Sequence, residues 1–226
     1  MENTILNKNP PRPGGNPGPQ EALIAKFLLI TLQRLLQEPD RGTPLRPYPN
    51  TTGTGASDAH ATDTEAGIGG WWCPTTPPQI SECHWFSHRL DKDLIPWIHR
   101  RDKPQQFIAA FELLGTAILL ELAAWHNHTG HLRFSAPVFT DSQCNTFALA
   151  RNYSRKSPSA EAHMELATVC DSHHIWPEIS HTKREHNTWA DALANFNTSG
   201  WDPSKRWDIT NHKWRILNEL VDPSRL

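Results

Sequence analysis

The sequence predicts an α/β protein in which helices pack on the faces of a sheet. Two observations carry that expectation. Strand-like and helix-like segments follow one another in the order three strands, helix, strand, two helices, strand, helix. Between Pro104 and Gly130 the apolar residues Phe107, Phe111, Leu114, Ile118 and Leu122 recur on one helical face, a long helix that a sheet could bury.

Residues 1–20 are a Pro/Gly/Asn-rich tail with too little apolar content to order itself, so they are expected to be disordered. Residues 21–38 read as a separate helix, with Leu23, Phe27, Ile30 and Leu35 near helical spacing, and Pro39 stops it. Residues 39–50 are a proline-rich linker. Thr51 to Asp58 is the first strand candidate, ending on the acid, and a polar turn leads to Gly67-Ile68-Gly69-Gly70-Trp71-Trp72. Glu82 to His88 is the third strand. Pro104 opens the long helix and Gly130 offers its stop. Ala136 to Asp141 is a fourth strand that closes on an acid. Helices are expected at 142–152 and 158–172, a fifth strand at Ile175 to His181, and a last short helix at Asn187 to Asn195. The domain should span 51–200, with 201–226 a C-terminal tail packed on it.

Composition narrows the function classes. The chain has 226 residues, 37% hydrophobic and 20% charged, with net charge -2, which excludes collagen, coiled coil and multi-pass membrane protein. A charge so near zero argues against tight, purely electrostatic binding of nucleic acid. Ala22 to Leu36 is the membrane candidate, but Lys26, Gln33 and Arg34 interrupt it, so no membrane partner is expected. The first twenty residues lack the basic start and apolar stretch of a secretory signal. Cys73, Cys83, Cys144 and Cys170 show no CxxC spacing, so reduced thiols in an intracellular protein, cytoplasmic or nuclear, are expected. Cys73, Cys83, His84 and His88 fit no familiar zinc spacing. Of 10 tryptophans, Trp71, Trp85 and Trp125 fall in expected core elements, whereas Trp201, Trp207 and Trp214 lie in a tail too polar to be a core element.

Four acids stand out by position. Asp58 closes the first strand candidate, Glu112 interrupts the apolar run FIAAFELLGTAILL, Asp141 closes the fourth strand, and Asp191 lies in the small-residue helix WADALAN. An acid in an apolar helix is costly unless something binds it. Glu121, in ELAAW, is the rival helix acid, but it stands almost at the helix end. If the fold gathers these carboxylates, their repulsion calls for cations. Hard divalent ions such as Mg²⁺ suit a few carboxylates plus water and phosphate oxygens, and two ions about 4 Å apart can promote phosphodiester hydrolysis.

Asp58 with the following Gly-Ile-Gly-Gly-Trp, Glu112 in FELLG, Thr140-Asp141-Ser142 and Asn187-Thr-Trp-Ala-Asp191-Ala-Leu-Ala resemble the ribonuclease H (RNase H) domain of retroelement reverse transcriptases over roughly residues 50–200. The closing N-x-x-A-D-x-L-A pattern is the most specific part. The resemblance implies an RNase H-like mixed five-stranded sheet with helices on both faces. It also implies two Mg²⁺ ions, with Mn²⁺ as substitute, held by Asp58, Glu112, Asp141 and Asp191, and an RNA–DNA hybrid as substrate. The helix at 21–38 would be the remnant of a connection to a reverse transcriptase polymerase domain on another or parent chain. Ser142 and Asn145 could reach a sugar or base edge or could cap the following helix, and Arg151, Arg155, Lys156, Lys183 and Arg184 could meet phosphates or be ordinary surface charge. His181 and His186 flank the segment before the last helix, which is closer to the retroelement form than to cellular enzymes. Two readings follow: a Mg²⁺-dependent hybrid endoribonuclease, or a repurposed RNase H-like domain that binds nucleic acid or a protein without turnover. A Trp-rich carbohydrate- or protein-binding module is a third, and it makes no use of the four ordered acids.

Overall fold

A computed structural model describes residues 53–91, 103–127, 134–143, 145–146, 158–210, 212 and 214, with eight positions between 22 and 36. The chain divides into two units, Met1–Arg41 and Gly42–Leu226. In the first, the described positions from Ala22 to Leu36 are helical. The expected tail 1–20, the linker 39–50 and the helix at 142–152 beyond Thr146 lie outside the described residues.

The second unit is built on one five-stranded sheet. Strands β1 (Thr54–Ala61), β2 (Ala66–Cys73) and β3 (His84–Arg89) form an antiparallel meander. Strands β4 (Phe134–Thr140) and β5 (Ile175–His181) add in parallel on the other side of β1, giving the order β3-β2-β1-β4-β5. Parallel neighbours need a crossover, and helices supply it: α1 (Ile108–His126) between β3 and β4, α2 (Ser159–Ser172) between β4 and β5. The last helix, α3 (Thr188–Ala194), follows β5. A mixed five-stranded sheet with helices on both faces is the architecture that the resemblance implies.

The two faces are filled differently. Helices α1 and α2 bury an aliphatic core with Ile68, Trp72, Phe86, Phe134 and Val138 of the sheet. On the other face, Ala190 and Leu193 of α3 pack with Ala56, Trp71, Trp85, Trp201, Cys73 and Cys83. The glycines of β2 explain how α3 sits so low. A Cβ at Gly69 would lie 2.2 Å from Ala194 N and 2.3 Å from the Leu193 carbonyl carbon, so the helix backbone rests where a side chain would be. Ser87 Oγ, on β3, donates to Leu193 O at 2.6 Å and fixes the same helix.

Four expectations need correction. Asp58 does not close its strand: β1 runs on to Ala61, because His60 and Ala61 pair with Gly67 and Ala66, leaving only a short connection closed by Thr62 N–H on Glu65 O at 2.8 Å. Trp125 is exposed (56%), since it falls in the last turn of α1 beside His84 at the start of β3. Conversely, Trp201 and Trp214 are buried core residues, the first against Trp85 and Trp189, the second beside the aliphatic core with Ile209. Polar neighbours in sequence concealed them. Ala22 to Leu36 is also not the sole apolar helix of interest: Pro104–His126 is long and apolar enough to cross a membrane by length and composition. Its apolar character on all sides reflects burial between the sheet and α2.

Candidate carboxylate site

The parallel register explains why two of the acids meet. Gly55 pairs with Val138 and Ala56 with Phe139, so two further steps set Asp58 of β1 level with Asp141, the first residue after β4. Helix α1 brings Glu112 to the same end of the sheet, and α3, seated on Gly69 opposite Asp58, brings Asp191. Asn187 at the start of α3 is buried and its Nδ2 donates to Ser57 O at 3.4 Å, tying that helix to β1 beside Asp58.

The electrostatics register the gathering. Asp58 is only 6% exposed, and its pKa is pushed up to about 7, first by burial and then by the charge of Asp141, with smaller additions from Glu112 and Asp191. The Ala59 N–H donates to Asp58 Oδ1 at 2.8 Å and works in the opposite direction. Glu112 is likewise pushed up to about 7 by burial, with Asp141 adding to the shift and hydrogen bonds from Ser142 and Asn145 opposing it. Asp58 therefore feels the charge of the other three acids, and Glu112 feels that of Asp141. Even so, among the described residues no three His, Cys, Asp or Glu side chains form a group at metal-holding spacing.

The neighbouring candidates fall into different places. Asn145 is buried and its Nδ2 donates to Glu112 Oε2 at 3.1 Å and to Ala109 O at 3.0 Å, so it orients the carboxylate instead of facing solvent. Ser142 caps the turn, its Oγ accepting from Asn145 N–H at 3.4 Å, and also reaches Glu112. Arg184 Nη2 lies 3.3 Å from Asp191 Oδ1, an exposed pair at the edge of the cluster. Lys183 pairs at 3.6 Å with Glu185 on the open surface. Arg151, Arg155 and Lys156 lie outside the described residues. The roles of Asn145 and Asn187 as struts were not foreseen; the Asn at the head of N-x-x-A-D was the available signal for the second.

The rival helix acid, Glu121, lies in a different environment. His212 Nδ1 is 3.2 Å from Glu121 Oε2 and His173 Nε2 is 3.9 Å from Oε1. Burial raises Glu121, but the two imidazoles outweigh it and hold the carboxyl down at about 2. At 3.9 Å His173 is beyond ordinary hydrogen-bond reach, so His212 is the tighter partner.

The donor set suits hard divalent cations: among the described residues it is carboxylate oxygens, crowded enough to raise two pKa values, with no thiol or imidazole acting on either group. No family model matches the chain, and no curated protein matches it. Solved structures do. The chain is similar to RNase H1 from the halophilic archaeon Halobacterium salinarum, at 18% identity over 64% of this chain and 96% of that one, with TM-score 0.45. It is similar to the N-terminal RNase H domain of a Mycobacterium tuberculosis protein, at 17% identity over 66% and 94%, with TM-score 0.49. It is also similar to the protease-reverse transcriptase of prototype foamy virus, at 16% identity over 72% of this chain but 23% of that one, with TM-score 0.44.

Proposed function

We propose that this chain is a retroelement-derived RNase H-like nuclease that hydrolyses the RNA strand of RNA–DNA hybrids. The observation that carries the proposal is that the charges of Asp141, Glu112 and Asp191 all act on buried Asp58. Asp58, Glu112, Asp141 and Asp191 would hold two Mg²⁺ ions, or Mn²⁺ in their place. Bound there, the ions supply Lewis acidity for activating water and stabilising the leaving oxygen. The protein's own part is positional. Asn145 and Ser142 hold the Glu112 carboxyl, the Ala59 N–H holds Asp58, and Arg184 balances Asp191 at the open edge. Asp58 and Glu112, with pKa values pushed up to about 7, would release protons as cations bind, so affinity should rise with pH.

A polymerase domain on a parent or separate chain would deliver the hybrid, because the near-neutral charge gives little phosphate affinity by itself. The test is cleavage of a labelled RNA–DNA hybrid in Mg²⁺. Asp141→Asn should lose activity by at least about 100-fold, the scale of removing one transition-state stabiliser; cleavage that survives this change overturns the proposal. One observation favours a second reading, a domain that binds without turnover: the carboxylates do not close to ligand spacing among the described residues. Hybrid binding with no turnover at any Mg²⁺ or Mn²⁺ concentration would select it.

A further inference from the structure

Cys73 ends β2 and Cys83 stands one residue before β3. The register of these strands pairs Trp72 with His84, so one further step sets Cys73 opposite Cys83. The Cys83 N–H donates to Ile80 O at 3.4 Å, not to the Cys73 carbonyl, which makes this a non-hydrogen-bonded cross-strand position. Cα atoms at such positions lie about 4.5 Å apart, inside the range of about 4.4–6.8 Å that disulfides span. The side chains agree with the backbone. The Cys73 and Cys83 thiols lie 3.9 Å and 3.1 Å from the same Gln79 carbonyl oxygen, and a hydrogen bond joins the two sulfurs. Both are free thiols, buried in the tryptophan-rich cluster under α3.

We infer that Cys73 and Cys83 are a redox-convertible pair, joined into a cross-strand disulfide by exchange with a small disulfide such as oxidised glutathione. The exchange balances in two steps. The Cys73 thiolate attacks one glutathione sulfur, forming a mixed disulfide and releasing one glutathione thiolate. The Cys83 thiolate then attacks the Cys73 sulfur and releases the second glutathione. The two protein thiols lose two electrons and two protons, and one glutathione disulfide becomes two glutathione thiols. The order follows from the surroundings. Burial raises Cys73, but its hydrogen bonds with Thr75 and its other neighbours outweigh burial and leave it below an ordinary thiol, whereas burial and the Cys73 sulfur push Cys83 well up. Access comes through the connection 74–82, where Thr75, Thr76, Pro77, Gln79 and Ser81 are exposed. Local opening of that connection lets the reagent in without global unfolding. This inference is independent of the nuclease reading, since neither thiol touches the carboxylates.

The test uses the full chain, incubated natively with oxidised glutathione, alkylated, digested and mapped by mass spectrometry. A Cys73–Cys83 linked peptide lighter by two hydrogens than the reduced pair, and reopened by a reductant, is the expected result. Cys83→Ser should retain glutathione on Cys73. Glutathione on both cysteines without a link, no modification of either, or a link to Cys144 or Cys170 would overturn the inference. The mapping is done on the unaltered chain, so it does not depend on how Cys83→Ser folds.

Discussion

Helix α1 carries two partly buried acids with opposite fates. Glu112, near its start, is pushed up to about 7 among other carboxylates, while Glu121, near its end, is held down at about 2 between His173 and His212. Both lose solvation on folding. What separates them is the sign of the charge they meet. Glu121 is already satisfied by two imidazoles, one on the residue after α2 and one in the C-terminal segment, so it ties three parts of the domain together. Among the described residues Glu112 has neutral donors, Ser142 and Asn145, and a like charge in Asp141. A cluster left in that condition is one that a cation would stabilise, and a pair like Glu121–His212 is one that a cation would not improve.

The largest test of that contrast is Glu121→Ala. It leaves two imidazoles without their carboxylate, and breaking a largely buried pair costs about 3 kcal/mol, the low end for such pairs; urea denaturation should show the loss, with the midpoint falling. Next comes Gly69→Ala. Its methyl would meet the backbone of α3, so α3 must rise off the sheet with Asp191, at a cost of about 2 kcal/mol in stability. Thermal melting should report that cost, and cleavage activity should fall further than the melting temperature alone explains.

The remaining effects are in pH, and their signs oppose. Glu121 has its folded pKa depressed from 4.5 to about 2, so the unfolded chain takes up its proton first as pH falls. Its contribution is present in full above about pH 4.5 and is lost as pH drops towards about 2. Asp58 and Glu112 have folded pKa values raised to about 7. There the folded state binds the proton more tightly, so stability declines as pH rises from about 4 to about 7 in the absence of divalent ions. Melting curves in chelator across that range should show the decline. Adding Mg²⁺ should reverse it more at pH 7 than at pH 5, and equal Mg²⁺ effects at both values would contradict the contrast.

Much of this was legible in the sequence, for local reasons. The helical stripe from Phe107 to Leu122, the proline ahead of it and the Gly-rich run before Trp71 each declare an element within a few residues. The four acids were legible as positions because each interrupts or ends such a run. What escaped was whatever depends on partners far along the chain. Nothing near Glu121 announces His212, nothing near Glu112 announces Asn145, and the polar neighbours of Trp201 and Trp214 conceal that both are buried. The end of β1 was misplaced for a similar reason, since His60 and Ala61 are strand only because Gly67 and Ala66 lie across from them.

The most direct measurement compares Glu112→Gln with Glu121→Gln, each assayed for RNA–DNA hybrid cleavage in Mg²⁺ and for its melting temperature. Glu112→Gln should lose cleavage and keep or raise its melting temperature in chelator, because a crowded charge has been removed. Glu121→Gln should melt lower and, below its melting point, keep its cleavage. Cleavage unchanged in Glu112→Gln, or lost in a folded Glu121→Gln, would contradict the assignment of the carboxylate site.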